Sequence, residues 1–282
     1  MRSLKLKANA KINLTLGITG KREDGYHTLD GIMQSVDLYD RIEIAKSDKI
    51  SVECDVNGLS QEDNIAFSAA RMFFEETGIK AGADISIQKH IPTAAGLGGG
   101  SADAAAVLCG LDRLYETALP YDELCSFAIK LGADVPFFIR GGTQRVGGIG
   151  ELLTPVAPLK DCHFLLIKYG DKSSTADMYK KSDMIKPSVP DTDAAAAALF
   201  EGSITELAKN IGNSFTAFFD YSELSNMLKP SEPLCVSLSG SGPTVFAMYN
   251  SLKGAAFAEA VLKSNNIMHY FARPTDCGIE FE

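Results

Sequence analysis

The chain has 282 residues, a hydrophobic content of 45% and a formal net charge of −9. This length predicts one large or two ordinary domains with a substantial core. The acidic balance, without any basic run, argues against nucleic acid or an anionic membrane surface as the main partner. No apolar run reaches the roughly 18 residues of a membrane span, and residues 1–7 lack the apolar core of a signal peptide, so we expect a cytoplasmic protein. The six scattered cysteines form no C-x-x-C pair, which predicts reduced thiols rather than disulfides or a zinc site.

The first part of the chain alternates apolar and polar residues, a pattern typical of β-strands. Its apolar positions are Leu4, Leu6, Ala8, Ile12, Leu14, Leu16 and Ile18. On this period Lys11 and Asn13 share the opposite face of the strand. A turn is expected at residues 20–25, where glycine and charged residues cluster, and further strands at residues 26–36 and 40–56.

An amphipathic helix is expected next, with Asp63 as its N-cap and Gly78 at its end. A short strand at residues 84–89 follows and leads into a glycine-rich loop. Strands and helices in this arrangement predict a strand-rich first layer with helices packed on it.

Four glycines fall within five positions, at Gly96, Gly98, Gly99 and Gly100. Glycine admits positive φ and the close approach of an anion because it has no Cβ. An alanine-rich helix follows directly, and Ser101 and Asp103 are expected to cap its start. Such a loop presents free N–H groups and the positive end of the helix dipole, so we predict a nucleotide phosphate site. The stretch matches neither the G-K-[ST] nor the G-x-G-x-x-G pattern, and the alternative is a glycine-rich turn that only permits close helix packing.

The middle of the chain predicts a second amphipathic helix at residues 122–131. Because the residue before a proline favours an extended conformation, Asp134, two residues ahead of Pro136, is expected on a short turn before a new strand. Residues 141–151 hold too many glycines for regular structure throughout, and a domain boundary is expected near residues 155–158.

The second half interleaves strands and helices, which favours a compact α+β sandwich. The expected strands are residues 164–168, 235–238, 244–249 and 267–273, and the expected helices are residues 194–200, 204–219 and 252–263. Residues 170–193 form a polar segment, and S-G-S-G-P joins the two middle strands.

Four segments, in this order, resemble motifs of one known family. They are A-K-I-N-L-T-L-G-I-T-G-K-R-E-D-G-Y-H at 10–27, P-T-A-A-G-L-G-G-G-S-A-D-A-A at 92–105, L-G-A-D-V-P-F-F at 131–138 and S-L-S-G-S-G-P-T-V-F-A at 237–247. The family is the GHMP kinases, which include galactokinase, homoserine kinase and mevalonate kinase. The resemblance implies a two-domain GHMP kinase fold of the α+β class. Residues 1–156 would form a ribosomal protein S5 domain 2-like, ATP-binding domain, and residues 157–282 a ferredoxin-like α/β sandwich.

The resemblance also implies phosphoryl transfer from ATP with Mg²⁺ as the metal ion. The implied ATP-binding residues are Asn64, Pro92, Thr93, Ala94, Ala95, Gly96, Leu97, Gly98, Gly99, Gly100, Ser101 and Ala102. Asp134 would be the catalytic base, and Lys11 would place a positive charge near the transferred group. The metal ligands stay unassigned, with Ser101 as one candidate.

Within the family, the run Gly25-Tyr26-His27 resembles members that phosphorylate the 2-hydroxyl of 4-diphosphocytidyl-2-C-methyl-D-erythritol, in the non-mevalonate route to isoprenoid precursors. The resemblance implies that Tyr26 and His27 contact the cytidine end and that Asn13 contacts the erythritol or its diphosphate. Tyr179 would form a second aromatic wall. The protein is expected to be a monomer or a weak homodimer whose partner is this small molecule.

The residues by themselves leave other roles open. Lys11 could be a solvated lysine on an exposed strand face, and Asp134 could cap a turn. Asp103 is expected to be only a helix cap, and Glu151 is expected to have a structural role. Residues 144–145 could contact the substrate phosphates or make no contact with the substrate. For the whole chain, the alternatives are another GHMP kinase, of the homoserine or mevalonate type, or a GHMP-fold ligand sensor without catalysis.

Overall fold

The structure is a computed structural model that describes residues 2–56, 61, 63–171 and 174–282. Its strands in chain order are β1 (Ser3–Lys21), β2 (His27–Ser47), β3 (Ser51–Cys54), β4 (Gly82–Gln88), β5 (Thr143–Gly147), β6 (Leu152–Pro155), β7 (His163–Lys168), β8 (Gly212–Asn213), β9 (Cys235–Leu238), β10 (Thr244–Tyr249), β11 (His269–Ala272) and β12 (Ile279–Phe281). Its helices are α1 (Ile65–Thr77), α2 (Gly99–Tyr115), α3 (Tyr121–Leu131), α4 (Val135–Arg140), α5 (Thr175–Met184), α6 (Thr192–Phe200), α7 (Ile204–Asn210), α8 (Ser222–Leu228) and α9 (Leu252–Ser264), with 3₁₀ turns at Ser214–Phe218 and Lys229–Ser231. This mixture confirms the expected α+β class.

The first sheet has the order β12-β1-β2-β4-β3, and its centre is the long antiparallel pair of β1 and β2. Strand β5 pairs with β2, β6 pairs with β5, and the short β8 lies parallel to β1. Helices α1 to α4 cover one face, where Phe73, Leu108, Phe127 and Phe137 join apolar residues of the strands in one core. The expected layer of strands with helices on it is therefore present.

The second sheet has the order β11-β7-β10-β9 and is antiparallel throughout. Numbered along the chain, this order is 4-1-3-2, that of a ferredoxin-like split βαβ unit. One face packs on α8 and α9 through residues such as Leu165 and Val245. The other face packs on β1, β2 and α6 through Phe164 and Phe246. The two sheets therefore share the core beneath the middle of β1.

Strand β1 contributes side chains to two cores along its length. Leu6 and Ala8 belong to the core under the helices, whereas Ala10 and Ile12 belong to the core shared with the second sheet. The pairing of β1 with β2 shifts register between Asn9 and Ala10, where β2 carries two extra residues, 37 and 38. Strand β1 keeps its alternation through this point, so its odd-numbered residues 11 and 13 lie on the face away from the second sheet's core.

One expectation for the middle of the chain is wrong. Residues 135–140 form helix α4 rather than a strand, because Pro136 lies in the first helical turn, where a missing N–H is tolerated. Residues 141–151 are not regular throughout, as expected: only residues 143–147 form a strand, β5, which pairs with residues 31–34 of β2. Glycines with positive φ, such as Gly141 and Gly148, turn the chain at both ends of this strand.

The second half departs from expectation mainly where elements are short. Helix α5 lies within residues 170–193, which were expected only to be polar. The helix expected at residues 204–219 is interrupted after α7, where Gly212 and Asn213 pair with β1. Helix α8 and strand β12 were not expected from the sequence, and β12 completes the first sheet as an antiparallel neighbour of β1. None of the described helices combines the length and apolar character of a membrane span.

Candidate active site

A cleft of about 970 Å³ is lined by both halves of the chain. It gathers nearly all of the residues proposed for the site: Lys11, Asn13, Tyr26, His27, Asn64, Pro92, Thr93, Ala94, Ala95, Gly96, Leu97, Gly98, Gly99, Gly100, Ser101, Asp134 and Tyr179. Ala102 does not line the cleft and is fully buried beneath the glycine loop. Gly240 and Ser241, from the loop between β9 and β10, also line it.

The glycine loop turns directly into the N-terminus of α2. Gly96 and Gly98 have φ of 79° and 74°, a region that favours glycine. A Cβ at Gly98 would collide with the ring of Phe138 and would come 3.1 Å from Cγ of Lys11. The first helical hydrogen bond runs from Ala102 N to Gly98 O, so the preceding N–H groups are available to an anion.

The expected caps of this helix are wrong. Gly98 occupies the N-cap position without any side-chain cap, so neither Ser101 nor Asp103 caps the start. With Gly98 in the left-handed conformation as N-cap, the helix starts three residues earlier than a cap at Ser101 would place it. Ser101 consequently lies inside the first turn of α2, beside the cleft.

A second glycine loop, residues 239–243, lies against the first. The Ser239 hydroxyl donates to Gly96 O at 3.3 Å, and Thr244 N donates to Ala95 O at 3.2 Å. A Cβ at Gly96 would come 2.7 Å from Ser239 O and 2.9 Å from Gly242 O. Glycine is therefore needed where the loops meet, and this contact joins the two halves of the chain at the cleft.

Lys11 and Asp134 meet in the cleft next to the glycine loop. The Lys11 Nζ lies 3.4 Å from Asp134 Oδ2 and donates to Asn13 Oδ1 at 2.8 Å. Lys11 is 4% exposed, so it is not a solvated surface lysine. Asp134 occupies the N-cap position of α4, yet its side chain makes no cap hydrogen bond and is 35% exposed. Its carboxylate is therefore directed to Lys11 and to the cleft.

The alternation of β1 explains the position of Lys11. Its odd-numbered side chains lie on the face opposite the second sheet's core, and the Lys11 N–H donates to Leu97 O at 3.0 Å. The Asn13 N–H in turn donates to the Ser239 hydroxyl at 3.3 Å. Each glycine loop is thus tied by hydrogen bonds to the strand that carries both polar side chains.

A second charged group, which we call the Lys89 cluster, lies buried under the glycine loop. The Lys89 Nζ donates to Asp40 Oδ2 at 2.5 Å and to Asp103 Oδ2 at 2.6 Å. Burial alone would lower the pKa of Lys89, but Asp103 and Asp40 more than offset this and raise it. Burial raises the pKa of Asp103 to about 8 against the pull of Lys89, and Asp40 adds to the rise. Asp103 is thus a buried hydrogen-bond partner of Lys89, which corrects its expected role as a cap.

The far end of the cleft carries aromatic rings. The rings of His27 and Tyr179 stack on each other, with centroids 4.7 Å apart and 17° between their planes. Tyr26 is 61% exposed. Burial raises the pKa of the Tyr179 hydroxyl to about 12, and the carboxylate of Asp134 adds to the rise. Tyr179 therefore lies between the aromatic end and the charged pair.

The remaining expected positions make ordinary structural contacts. Asn64, not Asp63, is the N-cap of α1, since its Oδ1 accepts from Ala66 N at 3.0 Å. The guanidinium of Arg145 donates hydrogen bonds to the carboxylates of Asp30 and Asp193. Gln144 donates to the backbone oxygen of Gly141, and the carboxylate of Glu151 accepts from the N–H of Ile149.

The described residues offer no group of three or more His, Cys, Asp or Glu side chains that could hold a metal ion. Mg²⁺ commonly binds through one or two protein oxygens together with phosphates and water. The hydroxyl of Ser101, in the first turn of α2 and on the cleft, fits such a ligand set. The residues present are therefore compatible with a metal ion that is bound mainly through a nucleotide.

The order of the two sheets, the paired glycine loops and the Lys11–Asp134 pair define a GHMP-type kinase. Comparison with known proteins agrees, because the profile of the GHMP kinases N terminal domain matches residues 64–142. A 4-diphosphocytidyl-2-C-methyl-D-erythritol kinase of Alkaliphilus metalliredigens (strain QYMF) is 40% identical over 261 residues, which cover 89% of each chain. One from Acetivibrio thermocellus is 40% identical over 273 residues, covering 94% of this chain and 96% of the relative. The chain belongs to the family of 4-diphosphocytidyl-2-C-methyl-D-erythritol kinases.

A solved structure supports the same assignment. A crystal structure of 4-(cytidine 5'-diphospho)-2C-methyl-D-erythritol kinase superposes with a TM-score of 0.79 at 29% identity, over 96% of this chain and 98% of that chain. The expected resemblance and the GHMP kinase fold are confirmed.

Sequence reasoning missed several residues that line or support the cleft. Lys89 and Asp103 were not expected to pair, and Lys21 and Asp183, which contact each other at 2.6 Å on the cleft, were not singled out. Local periodicity carries no signal for such pairs because their members lie far apart in the chain. A charged residue inside an otherwise buried helix, as Asp103 is in α2, was the one available sign.

Proposed function

We propose that the protein transfers the γ-phosphoryl group of ATP to the 2-hydroxyl of 4-diphosphocytidyl-2-C-methyl-D-erythritol. The observation that carries this proposal is the Lys11–Asp134 pair, 3.4 Å apart in a cleft beside a helix N-terminus built for an anion. Membership of the family supports the choice of substrate. The use of ATP agrees with the cytoplasmic location expected from the sequence.

Asp134 serves as the base in the proposed reaction. Its carboxylate accepts the proton of the 2-hydroxyl while the hydroxyl oxygen bonds to the γ-phosphorus and the bond to ADP breaks. Lys11 stabilises the negative charge that develops on the oxygens. The amide oxygen of Asn13 holds the Lys11 ammonium in place, which leaves the carboxylate of Asp134 free for the substrate.

The glycine loop holds the triphosphate through its free N–H groups and the dipole of α2. Ser101 would hold Mg²⁺ together with the phosphates. When bound, Mg²⁺ supplies charge neutralisation on the transferred phosphoryl group. Asn64 would contact the adenosine with its amide nitrogen, because its Oδ1 accepts from Ala66 N.

The aromatic end of the cleft receives the cytidine in this proposal. The stacked rings of His27 and Tyr179 are too close to admit a third ring between them, so the base meets the exposed ring of Tyr26 and the edge of His27. Asn13 contacts the erythritol or its diphosphate, and Tyr179 closes the wall behind His27. We also propose that residues 1–156 and 157–282 form the two domains and that the protein is a monomer or a weak homodimer.

The fold by itself does not choose among substrates. A homoserine kinase from Cytophaga hutchinsonii ATCC 33406 superposes with a TM-score of 0.77 at 18% identity, over all of this chain and 98% of that one. A homoserine-type or mevalonate-type kinase and a ligand sensor without catalysis are therefore the alternatives that an experiment must separate.

A phosphoryl-transfer assay with ATP and Mg²⁺ separates them. The cytidyl substrate is offered beside homoserine, mevalonate and phosphomevalonate, and the formation of ADP and of the phosphorylated product is measured. We expect turnover with the cytidyl substrate alone. Turnover with another alcohol would replace the substrate assignment, and ATP binding without turnover on any alcohol would favour the ligand sensor.

A further inference from the structure

Four side chains form one connected group at the rim of the cleft, which we call the His27 cluster. Lys21 of β1 and His27 of β2 both contact Asp183 of α5, and Tyr179 lies one helical turn before Asp183. The Lys21 Nζ donates to Asp183 Oδ2 at 2.6 Å, and the His27 Nε2 lies 2.7 Å from Asp183 Oδ1. The stack of His27 on Tyr179 completes the group.

The contact with Asp183 determines which nitrogen of His27 carries the proton. An ionised carboxylate only accepts hydrogen bonds, so Nε2 is the donor. The hydrogen bonds from Lys21 and His27 lower the pKa of Asp183, which keeps the carboxylate in this accepting form. In a neutral imidazole Nδ1 is then a hydrogen-bond acceptor.

Nδ1 is the ring nitrogen left for a ligand. Within the described residues no hydrogen bond to Nδ1 is found, and His27, whose side chain is 9% exposed, lines the cleft. The stack on Tyr179 fixes the plane of the His27 ring, so the lone pair of Nδ1 points in a fixed direction. Lys21 balances the charge of Asp183, and the cluster carries no net charge when the imidazole is neutral.

We propose that Asp183 is a positioning residue that makes this site select cytosine over uracil, an inference that rests on the proposed function. Cytosine carries a donating 4-amino group where uracil carries an accepting oxygen. The fixed Nδ1 acceptor of His27 bonds to the amino group and repels the oxygen. Without Asp183 the ring can take the other tautomer, whose Nδ1–H donates to uracil.

Steady-state kinetics of Asp183→Ala with the cytidyl substrate and its uridyl analogue test this role. We expect the KM for the cytidyl substrate to rise about tenfold and the preference for cytidyl over uridyl substrate to fall about tenfold, the scale of one fixed hydrogen bond. The kcat and the KM for ATP should stay near the wild-type values, because Asp183 does not touch the glycine loop or the Lys11–Asp134 pair.

Two further variants separate positioning from a general effect on the helix. Asp183→Asn keeps an accepting oxygen in the same place and should restore most of the base preference. Asp177→Ala is the matched control, because it removes a carboxylate at the start of the same helix together with the hydrogen bond that this carboxylate accepts from the Ser174 hydroxyl. Nitrogen-15 NMR of the His27 ring should show the Nε2–H tautomer in the wild type and a mixture of tautomers in Asp183→Ala.

The role of Asp183 would be overturned if Asp183→Ala kept the wild-type preference for the cytidyl substrate, or if Asp177→Ala lost this preference to the same extent. In either case, wild-type turnover with the cytidyl substrate would still support the proposed function. A wild-type protein that phosphorylates no cytidyl substrate would instead overturn the proposed function, and this inference with it.

Discussion

Two lysine–aspartate groups flank the glycine loop, and they are built differently. Lys11 packs beside Gly98 and lies 3.4 Å from Asp134, whose carboxylate is partly open to the cleft. Lys89 packs beside Gly99 and is held between two buried carboxylates, at 2.5 and 2.6 Å. In the first group, the carboxylate of Asp134 can still accept hydrogen bonds from a ligand. In the Lys89 cluster, the ammonium donates its hydrogen bonds to Asp40 and Asp103.

The difference indicates separate roles for residues of the same types. A carboxylate that remains partly hydrated can approach a substrate and accept its proton. An ammonium enclosed by two carboxylates is a support, because removing one member would leave a buried charge without its partner. We therefore expect changes in the first group to affect turnover and changes in the second to affect the free energy of unfolding.

Asp134→Asn should produce the largest effect. Removing the base while keeping the size of the side chain should lower kcat by roughly 10²–10⁴-fold, the usual contribution of a positioned base. Binding of ATP should change little, since Asp134 lies outside the glycine loop. Turnover and nucleotide affinity are measured together, and near-normal kcat in this variant would exclude Asp134 as the base.

The same substitution in each lysine tests the comparison directly. Lys89→Met leaves Asp40 and Asp103 buried without their partner and should cost about 3–5 kcal/mol of stability. Lys11→Met should cost much less, because Asp134 can be hydrated, but should lower kcat about a hundredfold or more. Denaturant unfolding and turnover are measured on both variants. Equal stability losses would show that the two groups do not differ in the way proposed.

Asp103→Asn should change the pH dependence of the free energy of unfolding. The pKa of Asp103 is 3.8 in its ordinary state and about 8 in the folded protein, so the folded state holds more protons between these values. The stability contributed by this group is therefore full below pH 4 and is lost as the pH rises through about 8, by at most about 1.4 kcal/mol per pH unit.

The variant lacks this titration. The free energy of unfolding of Asp103→Asn, relative to wild type, should therefore increase between pH 6 and 8 and level off above that range. Denaturant unfolding at several pH values measures the difference. Parallel curves for the two proteins would contradict the proposed state of the Lys89 cluster.

Elements with a strong local pattern were predictable from the sequence. Strands β9 and β10 have the expected bounds, and α3 and α9 differ by one residue at one end. The glycine loop followed by a helix was also expected, because glycine content and apolar period are properties of a short stretch of chain. Helix α4 was predicted wrongly since the preference of the residue before Pro136 is weaker than the burial of Phe137 and Phe138.

The sequence by itself determined that Lys11 and Asn13 share a face, that residues 96–100 form a glycine-rich loop ahead of a helix, and that the chain resembles the GHMP kinases. Only the tertiary structure decided that Lys11 meets this loop and Asp134, that Lys89 joins Asp40 to Asp103, and that His27 meets Asp183, 156 residues away. Hydrophobic period and glycine content act over a few neighbouring residues. Ion pairs and ring contacts between distant residues depend on strand register and on how the two sheets pack, which no local pattern contains.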